Sequence, residues 1–86
     1  LISPNILDII ELADDYSIVE INAGEFFSGK TLKELDIRAK FGCNVMAIKS
    51  GERINIAPLA NDRIHEGDVL VVIGHNDDLQ RLEEKA

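Results

Sequence analysis

The chain has 86 residues, among them one cysteine, no tryptophan, one tyrosine, three phenylalanines and two prolines. A single thiol excludes an internal disulfide and a cysteine-rich metal centre. Basic residues are scarce too. Nine Lys and Arg stand against 16 Asp and Glu, a formal net charge of −7. That balance argues against nucleic acid or an anionic membrane as the main partner. The longest apolar run, residues 69–74, falls far short of the ~20 residues needed to span a bilayer. No signal-peptide pattern opens the chain, which with the lone thiol points to the cytosol.

What remains is an ordinary globular mixture, 45% hydrophobic and 29% charged. At this length there is room for one small domain. It buries only about 60–65% of its unfolded surface, so its core is marginal. Oligomerisation is the usual remedy, and a homodimer is expected. The abrupt start at Leu1 reads as a segment of a longer protein.

Ser3-Pro4 resembles an N-cap followed by proline at the first helical position. Apolar residues then recur at Ile6, Leu7, Ile9, Ile10, Leu12 and Ala13, so residues 4–14 read as an amphipathic helix ending at Asp14-Asp15. Residues 17–23 alternate and form a strand. Thr31 with Glu34 makes a capping box that opens a short helix, stopped by Gly42. A second strand over 43–49 sets Val45, Ala47 and Lys49 on one face. After a Ser50-Gly51-Glu52 turn comes a third strand, 54–57, then an irregular connection over 58–67. Residues 68–74 are strongly apolar and form the centre of the sheet. Asn76 caps a last helix that turns Leu79 and Leu82 inward. The fold class is α+β: an N-terminal helix (residues 1–15), then β-α-β-β-β-α over 16–86 with an antiparallel or mixed sheet.

Gly24-Glu-Phe-Phe-Ser-Gly29-Lys30-Thr31 satisfies the phosphate-loop pattern G-x-x-x-x-G-K-[ST] between a strand and a helix. Phe26 and Phe27 are too bulky for a backbone cradle, Glu25 repels phosphate, and no Asp ends the apolar strand to hold magnesium. The match is a coincidence. No catalytic constellation stands out, and no enzyme is expected. His65 and His75 lie in different loops without metal-ligand spacing, and no metal site is expected. Cys43 is expected to be buried and inert. Residues 28–53 carry +3 while the remainder carries −10. A positive segment in an acidic chain is either an anion site or a set of solvated helix charges.

Four segments together resemble one family: Val19-Glu-Ile; Gly29-Lys-Thr-Leu-Lys-Glu-Leu-Asp-Ile-Arg38; Gly42-Cys-Asn-Val-Met-Ala-Ile-Lys-Ser-Gly51; and Ile64-His-Glu-Gly-Asp-Val-Leu-Val-Val-Ile-Gly74. They are similar to the C-terminal domain of bacterial RCK (regulator of conductance of potassium) proteins of the Trk/Ktr type. The resemblance implies a cytoplasmic regulatory domain at the membrane periphery. It would be homodimeric within a larger ring, beneath a potassium channel or transporter subunit. Residues 1–15 would connect it to a Rossmann-type N-terminal domain. It further implies that the dimer binds cyclic di-AMP as a regulatory ligand, with no cofactor, and thereby lowers potassium uptake. The Asp36-Ile37-Arg38 turn and Asn44 match the segment lining that pocket. Leu32, Ile37 and Ala39 would be its apolar wall, Val45 a further ligand-binding residue, and Pro58 its rim. The alternative is a ligand-free dimerisation module of the ring.

Overall fold

The computed structural model describes residues 5–86. Its centre is β5 (Val69–His75), flanked by β2 (Tyr16–Asn22) and β3 (Asn44–Ser50). The edges are β1 (Ile6–Ala13) and β4 (Arg53–Ile56), giving one sheet in the order β1-β2-β5-β3-β4 with every pair antiparallel. The helices are α1 (Leu32–Leu35), α2 (Ile37–Phe41) and α3 (Asn76–Glu83). Alternation sends Val19, Ile21, Leu70 and Val72 to one face, where they form the core with Ile37, Phe41, Leu79 and Leu82. Sequence reading therefore placed β5 and the inward faces of α3 correctly.

The N-terminal helix does not form. Residues 6–13 are a strand that hairpins onto β2 across Asp14-Asp15, with Ile9 opposite Val19 and Ile10 opposite Ile18. The apolar spacing of Ile6, Leu7, Ile9, Ile10 and Leu12 suits either period. The three isoleucines are β-branched and favour a pleated surface, and β2 supplies a partner backbone. Ser3 and Pro4, expected to start that helix, lie outside the described residues. Three other expectations also change. The 32–41 helix is two short helices broken at Asp36, which sits in the left-handed region at φ 47°. Asn76 is the first residue of α3 rather than its cap, and the His75 ring accepts from the Asp77 amide instead.

The third change concerns β3. Its register shifts between Val45 and Ala47, leaving Met46 as the extra residue of a bulge. A one-residue slip exchanges the faces of a strand. Val45 consequently lies opposite Val72 and packs on the core, whereas Ala47 and Lys49 lie opposite Val71 and Val69 on the far face. On that far face Lys49 reaches across β5 to Glu20, 3.0 Å away.

The pseudo phosphate loop is folded inward. Phe27 has no solvent exposure and is the largest such side chain. Phe27→Ala is expected to cost about 3–5 kcal/mol. A urea titration followed by circular dichroism checks this as a lowered midpoint with an unchanged slope.

Candidate functional site

The Thr31 hydroxyl accepts from the Glu34 amide at 3.1 Å, and the Glu34 carboxylate accepts from the Thr31 amide at 3.0 Å. These two bonds start α1, and donation to the carboxylate by the Thr31 amide and hydroxyl holds the Glu34 pKa below its ordinary value. One turn later Asp36 adopts the left-handed conformation, which Asp tolerates better than most residues. Its amide still donates to Leu32 O at 2.9 Å. The chain re-enters helix at Ile37 and stops at Gly42, whose φ of 74° suits a residue without a Cβ.

Across from α1 runs the segment 58–64, tied on by a backbone ladder. Ile64 N donates to Lys30 O, Leu32 N to Asp62 O and Lys33 N to Ala60 O, at 2.8–3.1 Å. Asp62 clamps the outer end of this segment. Its carboxylate accepts from the Leu59 amide at 2.8 Å and from the Asn55 side-chain amide at 2.9 Å. These bonds hold its pKa below the ordinary carboxylate value. The preceding Ala57 lies at φ 53°, an alanine conformation costing of order 1–3 kcal/mol. Its amide donates to Met46 O at 2.8 Å and turns the chain back towards the helices.

Between α1, α2, the start of β3 and this segment lies a cleft of about 400 Å³. Its lining is Leu32, Lys33, Asp36, Ile37, Arg38, Cys43, Asn44, Val45, Pro58 and Ala60. Seven of the eight residues singled out from the sequence thus come together. Ala39 is exposed on α2 and does not line the cleft. Sequence reading missed Lys33, Cys43 and Ala60. The signal for Lys33 was its place inside the +3 segment beside Leu32. Ala60 could not be seen, because only the ladder to α1 brings it there.

Most cations elsewhere are engaged, and the exceptions, Lys40 and Arg53, do not line the cleft. The Lys30 ammonium donates to Phe26 O at 2.7 Å and lies 4.5 Å over the Phe26 ring, so it serves the fold of the 24–31 loop. Lys49 pairs with Glu20, Arg81 with Asp78, and Arg63 reaches Gly29 O and Glu34. Lys85 lies over the Phe26 ring at 5.9 Å. The side chains of Lys33 and Arg38 have no such partner among the described residues. The cleft therefore offers two free cations, one carboxylate, one amide side chain and an apolar wall. That composition suits a small anion with an apolar, flat part.

A second groove of about 410 Å³ runs between β1 and α3, floored by Ile6, Ile9, Val19 and Leu79. No group of three or more metal-ligating side chains occurs among the described residues, and no helix there is long and apolar enough to cross a membrane.

The TrkA-C domain family matches residues 16–86, and the chain belongs to that family. It is 46% identical over 85 residues to Ktr system potassium uptake protein C of Bacillus subtilis (strain 168), covering 99% of this chain and 38% of that protein. To Ktr system potassium uptake protein A of the same organism it is 43% identical over 79 residues, covering 92% of this chain and 36% of that one. The chain thus spans less than two-fifths of these curated relatives. Among solved structures it is similar to the RCK C domain of the potassium transport protein KtrA in complex with cyclic di-AMP. That likeness has a TM-score of 0.80 and 45% identity, and covers 87% of this chain and 88% of the other.

Cys43 has no solvent exposure, and burial raises its pKa from 9.0 to about 11, with the Asp78 carboxylate adding to the shift. The folded state thus favours the neutral thiol. Its contribution to stability is complete below pH 9 and is lost as pH rises towards 11. At neutral pH the native thiol should stay silent to a disulfide reagent and react stoichiometrically only in denaturant. Absorbance of the released chromophore is the measurement.

Proposed function

We propose that this chain is a regulatory RCK C domain whose paired copies hold one cyclic di-AMP across a twofold axis. The observation that carries this reading is the cleft, which gathers Leu32, Asp36, Ile37, Arg38, Asn44, Val45 and Pro58 from three separate parts of the chain. The KtrA domain bound to that nucleotide, 45% identical, supports the choice of ligand. Arg38 meets a phosphodiester with its fork of donors and Asn44 adds a neutral donor. Leu32, Ile37 and Val45 pack on adenine, Pro58 closes the rim, and Ala39 lies just outside on α2. A ligand with two equivalent halves matches a twofold site in which each copy supplies the same residues.

The pairing surface in this reading adjoins the cleft. Met46, Ile54, Ile56 and Leu59 are all large, apolar and at least 40% exposed, and they cluster around β3, β4 and the turn that follows. Isolated exposed apolar residues need no explanation, but a contiguous set beside a cleft suits an interface. In the whole protein, residues 16–86 would be the binding and dimerisation domain, joined to an N-terminal domain within a larger cytoplasmic ring. The ring would sit beneath a membrane potassium channel or transporter subunit. Cyclic di-AMP would lower potassium uptake, acting as a regulatory ligand rather than as a substrate or cofactor. The acidic balance of the chain disfavours nucleic acid as a partner.

The same apolar patch would serve a module that dimerises without any ligand, and calorimetry separates the two. Cyclic di-AMP should bind with one nucleotide per two chains. A charged hydrogen bond is worth ~1.5–3 kcal/mol, so losing two copies through Arg38→Ala should weaken binding by roughly two to four orders of magnitude. Lys30→Ala should leave affinity nearly unchanged, since that ammonium is occupied by Phe26. Absence of heat with the wild-type chain favours the bare module. Light scattering provides the second check: a dimer at tens of micromolar is expected, and Ile56→Lys should shift it towards monomer.

A further inference from the structure

We infer that Lys33 is a second anion-binding residue of the cleft, and that it is what makes the cleft positive. The assignment rests on the cyclic di-AMP reading above. The charged residues lining the cleft are Lys33, Asp36 and Arg38. Without Lys33, the formal charges of Arg38 and Asp36 cancel. With it, each cleft carries +1, and two clefts joined by a twofold carry the +2 that balances two phosphodiesters. Arg38 supplies directional bonding, while Lys33 is a point charge on a flexible stem that supplies long-range attraction.

Two features leave Lys33 free for this task. Its side chain is exposed and has neither a hydrogen bond nor an ion pair among the described residues. Its structural contribution lies in the backbone, where the amide donates to Ala60 O at 2.8 Å. Replacing the side chain therefore changes the charge and keeps the ladder. Gln and Lys also have similar helix propensities, so Lys33→Gln should fold normally.

The same arithmetic assigns Asp36 an opposite sign. Asn enters the left-handed region at least as readily as Asp, so Asp36→Asn keeps the break at φ 47° and removes the opposing charge.

The test is calorimetry of this chain with cyclic di-AMP at ionic strengths from about 0.01 M to about 1 M. Over that range the screening length falls from ~30 Å to ~3 Å. At low salt Lys33→Gln should weaken binding roughly 2- to 30-fold, as expected for two exposed ion pairs. Asp36→Asn should tighten it, Lys33→Arg should match wild type, and all four proteins should converge at high salt. A purely structural role for Lys33 would leave its defect intact at high salt. An unaltered affinity for Lys33→Gln at low salt, a defect that persists at high salt, or weaker binding by Asp36→Asn overturns the assignment. If the wild-type chain binds no cyclic di-AMP at any salt, both the cleft reading and this assignment fall. Binding by wild type with Lys33→Gln unaffected removes only Lys33.

Discussion

The structure depends on β5 being buried between two antiparallel neighbours. Leu70 and Val72 have no solvent exposure, and β2 and β3 pair along its two sides. Five apolar residues in succession, Val69 to Ile73, suit a strand covered on both edges and at least one face. Once β5 is central, α3 folds back from its C-terminal end and seats Leu79 and Leu82 on the core face. The residue before the end of β5 is constrained as well. A Cβ at Gly74 would lie 3.2 Å from the Cys43 sulfur, a tight contact that favours glycine where Cys43, just before β3, approaches β5.

The cleft is built by departures from regular structure around that sheet. Asp36 in the left-handed region splits one helix into two, Met46 bulges β3, and Ala57 turns in a conformation alanine seldom adopts. Each device costs some stability, and each lies beside or within the lining. Strain of this kind persists only where surrounding contacts over-determine it. Here the ladder from 30–33 to 60–64 and the Asp62 clamp do so.

Charge is distributed with a similar asymmetry. Residues 28–53 carry +3 against −10 for the rest, and cations outside the cleft are largely tied to carboxylates, carbonyls or rings. The sheet edges are apolar as well. Leu7, Ile10 and Leu12 of β1 are each about half exposed, while Ile54 and Ile56 of β4 are exposed at the opposite edge. A two-layer domain of 86 residues leaves such edges bare because it has too few elements to cover them.

Much of this was legible in the amino-acid order. The capping box at Thr31 and Glu34, the stop at Gly42, the central apolar strand and the inward leucines of α3 all rest on local rules, and all hold. The unsuitability of residues 24–31 as a phosphate loop was also readable, from two bulky phenylalanines. Cys43 is buried, as its place at the start of a strand suggested. Residues 6–13 were misread because isoleucines spaced along eight residues satisfy both a helix and a strand. Only the availability of β2's backbone chose between them. The bulge at Met46 left no sequence signal, since it answers to the register of β5. The break at Asp36 left little, since many residues other than Asp could have continued or ended that helix. The cleft shows the same division. Which residues have the chemistry to hold an anion was written in one stretch of sequence; that Pro58 and Ala60 close over it was decided by hydrogen bonds between segments some thirty residues apart.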